Sequence, residues 1–119
     1  GDGWLRDGDD LVTVTDLAAP HAALGTTIEI EHPDGAVAVD VPAGTQPGAV
    51  LSVKGKGMPT LRRPGRFGDL RVVANVVIPR RLTGEQRELL ETFADSIDAD
   101  QLRDDDETMV GKLRRLFHR

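Results

Sequence analysis

Thr27-Ile-Glu-Ile-Glu-His-Pro-Asp-Gly-Ala-Val-Ala-Val-Asp-Val41 is the stretch on which the fold turns. Ile28 and Ile30 alternate with Glu29 and Glu31, and Val37, Val39 and Val41 alternate with small or acidic residues. A period of two puts each apolar set on one face of a strand. Asp34-Gly35 between the two runs predicts a tight hairpin, because glycine accepts positive φ without steric cost. Downstream, Pro42 to Gly48 reads as a turn segment in which Pro47-Gly48 fits the central pair of a type II turn, and Val50–Val53 follows as a short strand. Upstream, Leu11-Val-Thr-Val-Thr-Asp16 alternates as a strand, and Pro20–Leu24 predicts one helical turn capped by Gly25. Residues 54–69 form a long Gly/Pro/Arg loop, and Asp69–Ile78 gives the longest strand signal. Strands this short, joined by turns, predict a mainly β fold: a small antiparallel β-sandwich or partial barrel over residues 1–81, followed by C-terminal α-helices.

Composition sets the outer bounds. A length of 119 residues suits a single domain, or one small domain with an appendage, and 39% apolar residues can bury a modest core. Aromatic residues are only 3%, so that core is aliphatic. The net charge of −5 excludes a uniformly basic nucleic-acid coat while leaving room for a local basic patch. Cysteine is absent, which excludes disulfides and thiolate chemistry and fits a reducing compartment, so a cytoplasmic location is expected. No apolar run approaches the ~20 residues that span a bilayer. The chain opens on Gly1, so a fragment of a longer protein is expected.

Two helical segments are predicted beyond the strands. Over 82–102, Thr83 and Gln86 form a capping-box pattern, and Leu89, Leu90, Phe93, Ala94 and Ile97 recur as one stripe expected to pack on the sheet. Residues 103–119 combine an acidic spacer, Asp104 to Glu107, with a short amphipathic end. There Met109, Val110, Leu113, Leu116 and Phe117 share one helical face beside Lys112, Arg114, Arg115 and Arg119. Isolated helices shorter than ~12–15 residues are marginal in water, and Gly111 weakens this one further. It therefore needs a surface: a second copy of the chain, its own domain or a membrane. The strand at 69–78 is apolar on both sides, with Val73 and Val77 opposite Leu70, Val72, Ala74 and Val76. The second side is either covered by the following helix or open as a groove for a ligand chain.

Catalytic patterns are missing. His21, His32 and His118 have no metal-ligand spacing, and Ser52 and Ser96 lie inside a strand and a helix. No cofactor or metal is expected, and the chain is not expected to be an enzyme. The loop over 54–71 is basic, with Lys54, Lys56, Arg62, Arg63, Arg66 and Arg71 against Asp69. It leaves one alternative open, a β-rich nucleic-acid-binding module. The strands lack the aromatic platforms that single-strand binders use, so a solvated loop, or one docking on acidic protein surface, is the better reading. His32-Pro33-Asp34 matches the tripeptide of the J-domain, which there lies between two helices and stimulates a partner ATPase. Here it sits between two strands and reads as a turn.

Taken in order, several segments resemble the DnaJ family of co-chaperones, specifically the second C-terminal β-domain and the tail after it. They are Trp4-Leu-Arg-Asp-Gly-Asp-Asp-Leu11, Ala22-Ala-Leu-Gly25, Asp34-Gly35, Val41-Pro-Ala-Gly-Thr-Gln-Pro-Gly48, Lys54-Gly-Lys-Gly-Met-Pro59, Gly68-Asp-Leu70 and the step from Pro79 to Leu82-Thr83. Gly1-Asp2 stands where the family has His-Pro. The resemblance implies a homodimer joined through Met109, Val110, Leu113, Leu116 and Phe117, and auxiliary holding of unfolded polypeptides. Client contact would fall on Val73 and Val77, or on the Leu51–Val53 edge. It also implies a DnaK-type chaperone as partner through parts that these residues lack, among them the J-domain and the zinc module. Neither nucleic acid nor membrane is expected as a partner.

Overall fold

The computed structural model describes residues 3–103 together with 113, 114, 116 and 117. The chain divides into two units, Gly1–Arg80 and Arg81–Arg119.

The first unit is built from β1 (Trp4–Asp7), β2 (Asp10–Ala18), α1 (Ala19–Leu24), β3 (Thr26–Ile30), β4 (Val37–Val41), β5 (Val50–Val53) and β6 (Leu70–Val77). A four-stranded sheet has the order β1-β2-β6-β5, and β3 pairs with β4 in a second sheet. The larger sheet ends on β1 and β5 and is not closed into a barrel. The fold is mainly β, as the alternation predicts. Three pairings are antiparallel, while β2 and β6 run parallel from Leu11–Leu70 to Ala18–Val77. The crossover through β3 and β4 makes this possible: β5 runs back to the level of Leu70, and the loop over 54–69 turns the chain into β6 beside the start of β2, where Leu11 N–H donates to Asp69 O at 2.9 Å. Strand β6 is paired on both edges, and its inner face, Leu70, Val72 and Ala74, is buried, while Asn75 and Val77 on the other face are exposed.

The core lies between the sheets. Val37, Val39 and Val41 of β4 face Leu70, Val72 and Ala74 of β6 and Leu17 of β2, and all are buried. Leu70 and Val72 are 0% exposed. At about 1.5–3 kcal/mol for each fully buried aliphatic side chain, this valine-rich seam stabilises the unit without any aromatic in its centre. Thr13 is the buried polar exception, and its hydroxyl donates to Gly3 O at 2.8 Å.

Turns follow the sequence signals with one correction. Ala49 N–H donates to Gln46 O at 3.1 Å, and Gly48 has φ +83°, so Pro47-Gly48 is the central pair expected. Gly25 has φ +82°, and a Cβ there would lie 2.9 Å from Ala43 N, so the chain leaves α1 through a space only glycine fits. Asp34-Gly35 is not a two-residue hairpin loop. Ile30 pairs with Val37, leaving six residues, 31–36, between the strands. The turn is instead His32-Pro33-Asp34-Gly35, closed by Gly35 N–H to His32 O at 2.9 Å, with proline at the second position that its fixed φ favours. Strand β1 was not foreseen. It is four residues long, mostly exposed and half charged, and it pairs with β2 across Gly8-Asp9.

In the second unit, α2 (Gly84–Ser96) begins with the predicted capping box. Gln86 N–H donates to Thr83 Oγ1 at 3.1 Å, and Thr83 N–H donates to Gln86 Oε1 at 2.9 Å. The helix ends earlier than the expected 102. Ile97 and Asp98 are extended, and a separate 3₁₀ turn spans Ala99–Leu102, with Asp98 N–H donating to Gln101 Oε1 at 2.7 Å. Leu89, Leu90 and Phe93 of the α2 stripe are exposed. Among the described residues no helix is long and apolar enough to cross a membrane.

Candidate interaction surfaces

Strand register sorts the residues expected to touch clients. Leu51 and Val53 pair with Val72 and Leu70 and pack against the buried core. They belong to the inner face. Val73 and Val77 lie on the opposite, outer face, half-buried and exposed respectively. The four residues therefore do not make one surface, because alternation along β5 and β6 sends them to different sides.

The outer face has a feature that the sequence reading missed. Val14 pairs with Val73 and Val73 with Val50, so three valines stand in a row across β2, β6 and β5. Val14 is 61% and Val50 53% exposed. On β2 the pattern is the reverse of simple hydropathy: Val14 points out while Thr13 is buried. The signal was available in Leu17, whose parity with Thr13 rather than Val14 marks the inner face.

Polar rows flank the valines. On one side Asn75 Nδ2 donates to Asp16 Oδ1 at 2.8 Å. On the other, Arg71 donates from Nη2 to Asp7 Oδ2 at 2.5 Å, and its Nε lies 3.4 Å from Asp10 Oδ2. The hydrogen bond to Asp7, helped by the charges of Asp7, Asp10 and Asp69, raises the Arg71 guanidinium above its ordinary value against some desolvation. This cation is permanent and its partners are acids of the same sheet, so it closes the apolar row rather than recruiting a ligand.

His32 is not a solvated turn residue. Its side chain is only 5% exposed. Nε2–H donates to Lys56 O at 2.8 Å and Nδ1 accepts from Asp34 N–H at 3.1 Å, which fixes the neutral tautomer. Its ring meets Trp4 edge-on, with centroids 6.1 Å apart. With both nitrogens engaged, the J-domain-like tripeptide serves as a tie between the β3–β4 loop and the loop over 54–69.

That second loop is ordered. Gly57 N–H donates to Gly68 O and Gly68 N–H to Met58 O, both at 2.8 Å, while Met58 N–H reaches Asp9 O at 2.7 Å. Gly68 packs so tightly on the Asp9 carbonyl that no side chain fits between them. Beyond this base, 61–67 are exposed. Among the described residues no group of three or more His, Cys, Asp or Glu is placed to hold a metal ion.

Of the residues expected at a dimer seam, Leu113, Leu116 and Phe117 are helical and 47%, 69% and 83% exposed. Met109 and Val110 lie outside the described residues.

Comparison with known proteins matches residues 2–79 to the family described as DnaJ C terminal domain. The chain is 55% identical over 96 residues to the chaperone protein DnaJ of Halorubrum lacusprofundi, covering 81% of this chain and 25% of that protein. It is 52% identical over 91 residues to that of Natronomonas pharaonis, covering 76% and 24%. With that of Bacillus cytotoxicus it shares 42% over 112 residues, covering 94% and 29%. The chain thus spans about a quarter of the length of the curated relatives it matches.

Proposed function

Because this chain belongs to the DnaJ C-terminal domain family, a family of non-enzymatic chaperones, we propose that it is the dimerising C-terminal β-domain of a cytoplasmic DnaJ-type co-chaperone. It pairs with a second copy through Met109, Val110, Leu113, Leu116 and Phe117, and offers a secondary contact for unfolded polypeptides. The parent protein hands those clients to a DnaK-type ATPase through segments outside these residues. No cofactor enters this role.

The observation that carries the reading is the exposed helical stripe of Leu113, Leu116 and Phe117. Burying such side chains against a symmetric copy stabilises by about 1.5–3 kcal/mol each, which offsets the ordering cost that a short helix cannot meet alone. Two-fold pairing sets two weak client contacts side by side, and a single long unfolded chain then binds both more tightly than either. The row Val14–Val73–Val50 supports the client contact, being apolar, partly exposed and rimmed by polar residues. It replaces the Leu51–Val53 edge in this role, since those side chains are spent on the core.

The test is light-scattering mass of the chain before and after removal of 109–119. A dimer that becomes a monomer on truncation is expected. A monomer with the tail intact at micromolar concentration overturns the reading.

A further inference from the structure

Residues 59–67 form a small rigid finger, and the geometry points to it as a docking site for a short acidic peptide segment of a partner protein. The finger is closed at its neck by an antiparallel bridge between Pro59 and Phe67. Thr60 N–H donates to Arg66 O at 2.8 Å, and the Thr60 hydroxyl donates to Arg63 O at 2.9 Å. Arg66 N–H closes on Arg63 O at 3.1 Å, and Gly65 has φ +82°, so Arg63-Pro64-Gly65-Arg66 is a turn with proline and glycine in the two positions a type II turn requires. The base is tied to the sheet, with Asp69 N–H donating to Asp10 Oδ1 at 2.7 Å. A loop rich in glycine and arginine is thus held in one shape, and its cations are displayed without further ordering of the backbone.

Arg62, Arg63 and Arg66 are all exposed. Among the described residues none of them has a carboxylate within ion-pair distance, whereas Arg71, Arg87 and Arg103 all do. The nearest acid in sequence, Asp69, accepts from Gly55 N–H. Leu61, 93% exposed, and Phe67, 50% exposed, flank the three cations. Three unpaired guanidiniums within five positions, in a chain of net charge −5, are a local inversion of charge. They match a few carboxylates spaced along an extended peptide, with one apolar side chain lying against Leu61 or Phe67. A long polyanion fits less well. The net negative chain repels it, and Phe67 is the finger's one aromatic, so successive bases have no platform on which to stack.

The experiment titrates the 119-residue chain with a labelled octapeptide of glutamates around a central leucine, with the glutamine version as control. Single-stranded DNA and phosphatidylglycerol vesicles serve as competing probes. Binding of the glutamate peptide is expected, with amide shifts confined to the finger. The affinity should fall about tenfold when Arg62, Arg63 and Arg66 are all changed to Gln, from the loss of three exposed ion pairs. It should weaken with added salt, and the change Arg80→Gln with Arg81→Gln should leave it in place. The shift map uses the unsubstituted chain and so does not depend on how the triple variant folds. Equal binding of the glutamine peptide, shifts lying elsewhere, no loss in the triple variant, or tighter binding of the DNA or the vesicles would each overturn the proposal.

Discussion

Replacing His32 with Ala removes three things at once. The bond from Nε2–H to the part-buried Lys56 carbonyl disappears, and its acceptor is left for water to find. A bond of this kind contributes about 0.5–1.5 kcal/mol net. The edge contact with Trp4 also goes, worth about 0.5–1.5 kcal/mol. The third loss, the bond from Asp34 N–H to Nδ1, is exposed and solvent replaces most of it. The sum is about 2 kcal/mol of stability. With a urea m-value of roughly 1–3 kcal/mol/M for a unit this size, the midpoint should fall by about 1 M at an unchanged slope. Far-UV dichroism is the appropriate probe, because the fluorescence of Trp4 responds to the substitution itself. Asp34→Asn is the companion variant. Asp34 uses its backbone N–H in the tie, and its carboxylate is 3.9 Å from Nδ1 and largely exposed, so the change should cost under about 0.5 kcal/mol. A His32→Ala midpoint within experimental error of the parent, or an Asp34→Asn loss as large as that of His32→Ala, would refute the tie.

Four further outcomes are expected. Leu70→Ala should destabilise the first unit by about 2–5 kcal/mol in chemical denaturation, since a wholly buried side chain on the central strand leaves a cavity between the sheets. Gly68→Ala should cost about 3 kcal/mol, because its Cβ would overlap the Asp9 carbonyl and backbone must shift. Gly84→Ala, where nothing lies within 4 Å of the new methyl, should gain up to about 1 kcal/mol by the same measurement. Val14→Asp with Val50→Asp should leave the free energy of unfolding within about 1 kcal/mol of the parent, since both positions are exposed, while weakening suppression of client aggregation.

How far the sequence reveals this molecule depends on how local each signal is. The β3 and β4 alternation, the Pro47-Gly48 turn and the Thr83–Gln86 capping box are each complete within a few residues, and each forms as written. The parallel pairing of β2 with β6 is not local: their partners lie 59 positions apart, from Leu11 to Leu70, and alternation carries no direction. The apolar row on the outer face was hidden for a related reason. Val12 and Val14 look like a core stripe until Leu17 and the pairing with β6 show that Thr13 faces inward. Likewise, burial of the His32 ring depends on Lys56, 24 positions away, while Asp34-Gly35 nearby offers a simpler turn that the register of β3 and β4 rules out.

Sedimentation equilibrium of the intact chain at low micromolar concentration bears most directly on the role of the closing stripe. Self-pairing requires a mass near twice 12.9 kDa, returning to 12.9 kDa when Leu113, Leu116 and Phe117 are all changed to Ser. A single species of 12.9 kDa for the unsubstituted chain, or a dimer that survives the triple change, would contradict it.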